Sequence, residues 1–208
     1  MIKKSIIFFV IVFVSFFIYQ KKFKNSNLEI WDLVPAKSVM IIEINDPLDK
    51  WNKFSSSVNE DQFRDFRKLI DKNISELNSF LNDKLNVLVD NNNLIVSVSK
   101  TSKEDFDLLF TSNSKNLDFQ YVLKKAKDSL SFDITTRDFN DEKIYDFSDG
   151  TNFFSVVVLN NFISVSKNTL LIEDVIRTSQ NKNLSFKNIN QDLFNQVMVQ
   201  NDFGNIFL

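Results

Sequence analysis

Two tetrapeptides place a serine three positions before a lysine: Ser97-Val98-Ser99-Lys100 and Ser164-Val165-Ser166-Lys167. That spacing suits acyl transfer when both residues share one helix face, because the lysine amine then reaches the serine oxygen it must deprotonate. Both segments instead alternate apolar residues with serine, which is a strand pattern, and on a strand positions i and i+3 point to opposite faces. No nucleophile is assigned to either. Carboxylates offer other chemistry. Asp105 with Asp107 and Glu173 with Asp174 are spaced as acid and base partners, yet the first pair reads as one strand face and the second as a helix start. Solvation and the helix dipole account for both. The run Asp138-Phe139-Asn140-Asp141-Glu142 gathers oxygen ligands as a calcium loop does. It lacks the glycine and terminal bidentate glutamate of a helix-loop-helix site and reads as a hairpin turn.

The chain of 208 residues has no His and no Cys, so zinc fingers, thiol nucleophiles, disulfides and histidine-based dyads or triads are excluded. Its two glycines, Gly150 and Gly204, lie too far apart for a phosphate-cradling loop or a dinucleotide fingerprint, which excludes those nucleotide sites. The 26 Asn, 21 Lys and 23 Phe against 4 Arg and 2 Ala follow the drift of an AT-rich genome, so single Asn and Lys residues carry little meaning. Most Phe residues fall at inward positions and read as core. Trp31 follows a linker and is expected at a membrane interface, where Trp is enriched. The sequence thus assigns no catalytic, cofactor-binding or metal-binding residue.

These residues need positioning elements, and the first is a membrane segment. Ser5 to Tyr19 carry no charge, with Lys3 and Lys4 before them and Lys21, Lys22 and Lys24 after. As a helix the run spans roughly 22 Å, short of the ~30 Å hydrocarbon core, so the flanking lysines must snorkel or the bilayer thin. A cleavage site needs small residues, whereas Phe13, Phe16, Phe17, Ile18 and Tyr19 are bulky, so the segment reads as an uncleaved signal anchor. Lysine counts on the two sides balance. The short N-terminal tail is expected to stay in the cytoplasm and residues 25–208 to cross. Residues 1–24 hold five lysines and no acid, leaving 20 basic against 27 acidic residues downstream. A mildly acidic exported part has no basic face for DNA or RNA.

Beyond residue 24 the sequence predicts a linker at 25–32 and an α+β domain at 33–208. Val39 to Ile44 reads as a strand. A helix follows from Asp46-Pro47 through Leu48, Trp51 and Phe54, and a second carries Phe63, Phe66, Ile70, Ile74, Leu77 and Phe80 inward. Leu85 to Val89 and Leu94 to Lys100 form a hairpin, and Phe106 to Phe110 a further strand. Asp118 caps a helix with Phe119, Val122, Leu123 and Ala126. Strands follow at Phe132 to Thr136 and Lys143 to Phe147, then a hairpin of Phe153 to Leu159 and Phe162 to Ser166 through Asn160-Asn161. A helix then turns Leu171, Ile172, Val175 and Ile176 inward, and Asn190 caps a last short one. Strands joined by turns, with helices at intervals, predict an antiparallel sheet covered by helices on one face. The segments at 94–100 and 161–167 run parallel in sequence, which an internal duplication and a generic half-buried strand explain equally well.

The order Leu33-Val34-Pro35-Ala36, Val39 to Ile44, Asn45-Asp46-Pro47 with Trp51, the Ser-rich 97–102, Phe106 to Phe110, Lys143 to Asp146 and Phe162 to Ser166 before Leu171 to Ile176 resembles a group of bacterial envelope proteins. That group, common in Bacteroidetes, is known only as a domain of unknown function. The resemblance covers residues 33–208 and rests on hydrophobic pattern. It implies an N-terminally anchored, extracytoplasmic α+β protein, and it brings no catalytic residues; with residues 5–19 as the anchor, the expected place is the bacterial cytoplasmic membrane, crossed once, with the domain on the periplasmic side. Against its longer members this domain reads as cut short at Leu208. The function expected is a noncatalytic module held in the membrane by residues 5–19 and contacting another envelope protein. The alternative is a hydrolase working with Asp and Glu alone. A pilin-like subunit is disfavoured because the early Glu of such a helix and the Gly before it are missing.

Overall fold

The computed structural model describes residues 28–45, 68, 70–73, 75–76, 93–102, 105–115, 117–129, 132–197 and 204–207. The expected membrane segment, the helix from Asp46, most of the helix around Ile70 and the strand at 85–89 lie outside the described residues. Among the described residues eight strands form a single sheet in the order β4-β5-β6-β7-β3-β2-β1-β8, every neighbouring pair antiparallel. They are β1 (Ser38–Asn45), β2 (Asn93–Lys100), β3 (Phe106–Asn113), β4 (Asp133–Phe139), β5 (Glu142–Ser148), β6 (Phe153–Leu159), β7 (Phe162–Ser166) and β8 (Gly204–Phe207). The helices are α1 (Phe119–Ser129), α2 (Thr169–Gln180), α3 (Phe186–Ile189) and α4 (Gln191–Val197), with 3-10 turns at Ile30–Leu33 and Lys182–Leu184. Residues 70–73 are helical as well. The α+β class and the antiparallel sheet agree with the sequence pattern.

Side-chain alternation across the register defines two faces. Ile42, Val96, Phe110, Val165 and Val156 stand opposite one another across five strands and share one core with Ile70 and with Val122 and Ala126 of α1. The other parity faces the other way. There Leu109, Ile144, Val157 and Leu159 pack against Leu171, Ile172, Val175 and Ile176 of α2. On the same side Ile41, Ile95 and Phe207 meet Trp31, Val34, Phe186 and Phe194. Helices therefore cover both faces, not one. The reason lies in the serines. Alternating serine suggests a solvated face, but Ser97, Ser99, Ser155, Ser164 and Ser166 are all buried. They lie on the face that carries α2, and their small side chains leave room for a covering layer.

Turns close the hairpins where short-range chemistry allows. Asn140 and Asp141 both adopt positive φ between β4 and β5, as a two-residue hairpin turn of right-handed twist requires, and Asn160 does so between β6 and β7. The segments at 94–100 and 161–167 become β2 and β7, which both flank β3. Past them the likeness ends, because β2 leads to another strand and β7 to helix α2. Trp31 is buried, not interfacial: it meets Phe194 and Phe207 edge-on at centroid distances of 4.8 and 5.4 Å. No helix among the described residues is long and apolar enough to cross a membrane.

Candidate functional site

Among the described residues a group of linked charged side chains lies where α2 crosses the β4–β5 edge. Arg137 leaves β4 on the α2 face. Its Nε donates to Asp146 Oδ2 of β5 at 3.1 Å, its Nη1 to Glu173 Oε1 of α2 at 2.9 Å, and its Nη2 to the Thr169 hydroxyl in the first turn of α2. Asp146 accepts a second hydrogen bond from the Ser155 hydroxyl. One turn along α2, Arg177 donates to Glu173 at 3.2 Å and Asp174 at 2.6 Å, and lies 4.8 Å from the centroid of the Phe139 ring. Asp174 also pairs with Lys37. A planar guanidinium on β4 that bonds both β5 and α2 fixes the relative position of the three elements.

Chemistry needs a carboxylate with a free lone pair aimed at a substrate. Here Glu173, Asp174 and Asp146 each hold protein cations or hydroxyls, so the Glu173 and Asp174 pair works as ion-pair anchorage for the helix. Asp105 and Asp107 are separated in role. Asp105 accepts from the Ser102 hydroxyl at 2.7 Å and closes the turn before β3. Asp107 accepts from Asn168 Nδ2 at 2.7 Å, which orients Asn168 so that its Oδ1 caps α2 at Leu170 N, 3.0 Å away.

The serine–lysine pairs are divided by the sheet. Ser97 is buried on the α2 face, while Lys100 is exposed and of opposite parity. Ser164 lies 2.9 Å from the Thr111 hydroxyl, whereas Lys167 pairs with Glu76 and stands 5.6 Å from the centroid of Phe154, a residue of the other core. The 138–142 run is the tip of the β4–β5 hairpin, with only Asn140-Asp141 in the turn, and the Asn140 carbonyl accepts from Gln180 at 2.6 Å. Among the described residues no group of three acidic side chains is placed to hold a metal ion. Trp51 lies outside the described residues.

Three features escaped the sequence reading. Arg137 and Asp146 are diagonal partners only once the turn is placed at Asn140-Asp141, which sets Phe139 opposite Glu142; a five-residue loop at 138–142 hides that register. Glu43 is a buried carboxylate in mid-strand, accepting from Asn93 Nδ2 at 3.1 Å and Asn205 Nδ2 at 2.8 Å, and so ties β1 to both neighbours. Ser97 and Ser99 bury hydroxyls without a hydrogen-bond partner. Exposed Asp149 takes four hydrogen bonds in the turn before β6. Those from the Asn152 side chain and backbone, then the Thr151 backbone and hydroxyl, hold its carboxyl well below the usual carboxylate range.

No family model, curated protein or solved structure matches this chain.

Proposed function

We propose that the chain is a noncatalytic module of a bacterial envelope, tethered in the cytoplasmic membrane by residues 5–19, with its α+β domain on the periplasmic side in contact with another envelope protein. The observation that carries this reading is the uncharged run from Ser5 to Tyr19 bracketed by lysines. The occupation of the carboxylates supports the noncatalytic part. Glu173, Asp174, Asp146 and Asp107 are held by Arg137, Arg177, Lys37 and Asn168, as structural ion pairs and caps are. A hydrolase built on Asp and Glu alone needs two carboxylates free to exchange protons across a substrate.

Crosslinking in intact envelopes tests the proposal. Photo-reactive residues on exposed positions of the full chain are expected to recover one recurring neighbour from the membrane fraction. A chain that recovers no specific neighbour, or that hydrolyses an envelope polymer when purified, contradicts it.

A further inference from the structure

Three of the exposed large apolar side chains fall within ten residues of one another: Leu184, Ile189 and Leu193, at 44, 58 and 39% exposure. They belong to the run of short turns and helices after α2, whose opposite side supplies Phe186 and Phe194 to the Trp31 core. Single exposed leucines need no explanation. What sets these three apart is their neighbour in the fold. Ala36 N donates to Leu184 O at 3.0 Å, Phe186 N to Val34 O at 2.8 Å, and the Lys187 ammonium pairs with Glu29 at 2.6 Å. The segment bearing the apolar side chains is thus sewn to residues 29–36, the start of the domain. Only residues 25–27 separate Lys24, at the end of the lysine-flanked run, from Leu28. Four chain steps reach at most about 14 Å, so a Lys24 held at the headgroups keeps Leu28 and its surroundings close to the bilayer.

We infer that Leu184, Ile189 and Leu193 form the surface by which the domain rests on the bilayer that holds residues 5–19. This rests on the anchor reading above. The nearby charges balance closely, Lys182 pairing with Asp32 and Lys187 with Glu29, while Asp192 adds a negative charge. Attachment therefore comes from apolar side chains entering the interface and is insensitive to salt and to anionic lipid. Leu170 is as exposed as Ile189 but lies in the first turn of α2, about 15 Å along the helix axis from its far end, and serves as the contrasting position.

The absence of cysteine makes the test direct. Full-length Ile189→Cys and Leu170→Cys are each labelled with an environment-sensitive fluorophore and reconstituted into phosphatidylcholine vesicles with nitroxide-bearing acyl chains. The label at 189 is expected to be blue-shifted and quenched several-fold more than at 170, unchanged by high salt or added phosphatidylglycerol. Equal quenching at both positions in a chain that floats with the vesicles overturns the docking surface and leaves the anchor standing. A chain that does not float with vesicles overturns both. A blue-shifted, unquenched label at 189 that depends on protein density assigns the patch to a second copy instead.

Discussion

At the scale of single residues, Arg137 does the most to join separate parts of the chain. Removing it leaves Asp146 with only the Ser155 hydroxyl and Glu173 with only Arg177 among the partners named above, and their side chains are only 14 and 15% exposed. Arg137→Ala is expected to cost about 1–3 kcal/mol in urea unfolding, with Arg137→Lys recovering only part, because an ammonium cannot bond three side chains in one plane. Ser97 behaves in the opposite way. Its hydroxyl is buried without a partner, so Ser97→Ala is expected to leave stability unchanged or raise it. A marked loss would mean that the hydroxyl is engaged. Asp149 gives a pH signature. Its carboxyl is held below its unfolded value, so its contribution is fully present above about pH 4 and declines as pH falls further. The difference in unfolding midpoint between the native chain and Asp149→Ala is expected to be constant from neutral pH to about 5 and to shrink below about 4. Asp118 was legible as a cap, and its Oδ1 accepts from Tyr121 N at 3.1 Å. Arg137 was not, since its role depends on a cross-strand register that a loop of uncertain length conceals.

At the scale of elements, α2 was the most legible. Leu171, Ile172, Val175 and Ile176 recur at helical spacing, and all four are buried against the sheet. Ile172→Ala is expected to destabilise by about 2–5 kcal/mol, as a fully buried aliphatic truncation does. The hairpin through Asn160-Asn161 was legible for a similar reason, because turn chemistry there is local. Coverage of the second face was not. Serine at alternate positions fits a wet face and a closely packed one equally, and only the tertiary fold distinguishes them. The edge strand β8 makes a sharper case. A Cβ at Gly204 would overlap the backbone carbonyl of Glu43 on β1, so Gly204→Ala is expected to loosen β8 specifically. Hydrogen exchange at residues 205–207 would speed up while α2 kept its protection. Equal protection at β8 would show that the strand shifts to accommodate the methyl group.

At the scale of the whole molecule, charge and hydropathy divide the chain more clearly than any motif. Five lysines and an uncharged run precede an acidic remainder. The described domain has three apolar clusters on the two faces of one sheet, and Arg137, Arg177, Glu173 and Asp174 hold α2 in place. Such an arrangement fits a scaffold that presents a surface. Placement of that surface is the central claim, and one labelling experiment addresses it. With Leu170→Cys as the only thiol in the full chain, a membrane-impermeant maleimide is applied to spheroplasts before lysis, and membranes are then washed with carbonate. The chain is expected to be labelled before lysis and to stay in the washed pellet. A chain labelled only after lysis, or recovered in the soluble fraction, would contradict it.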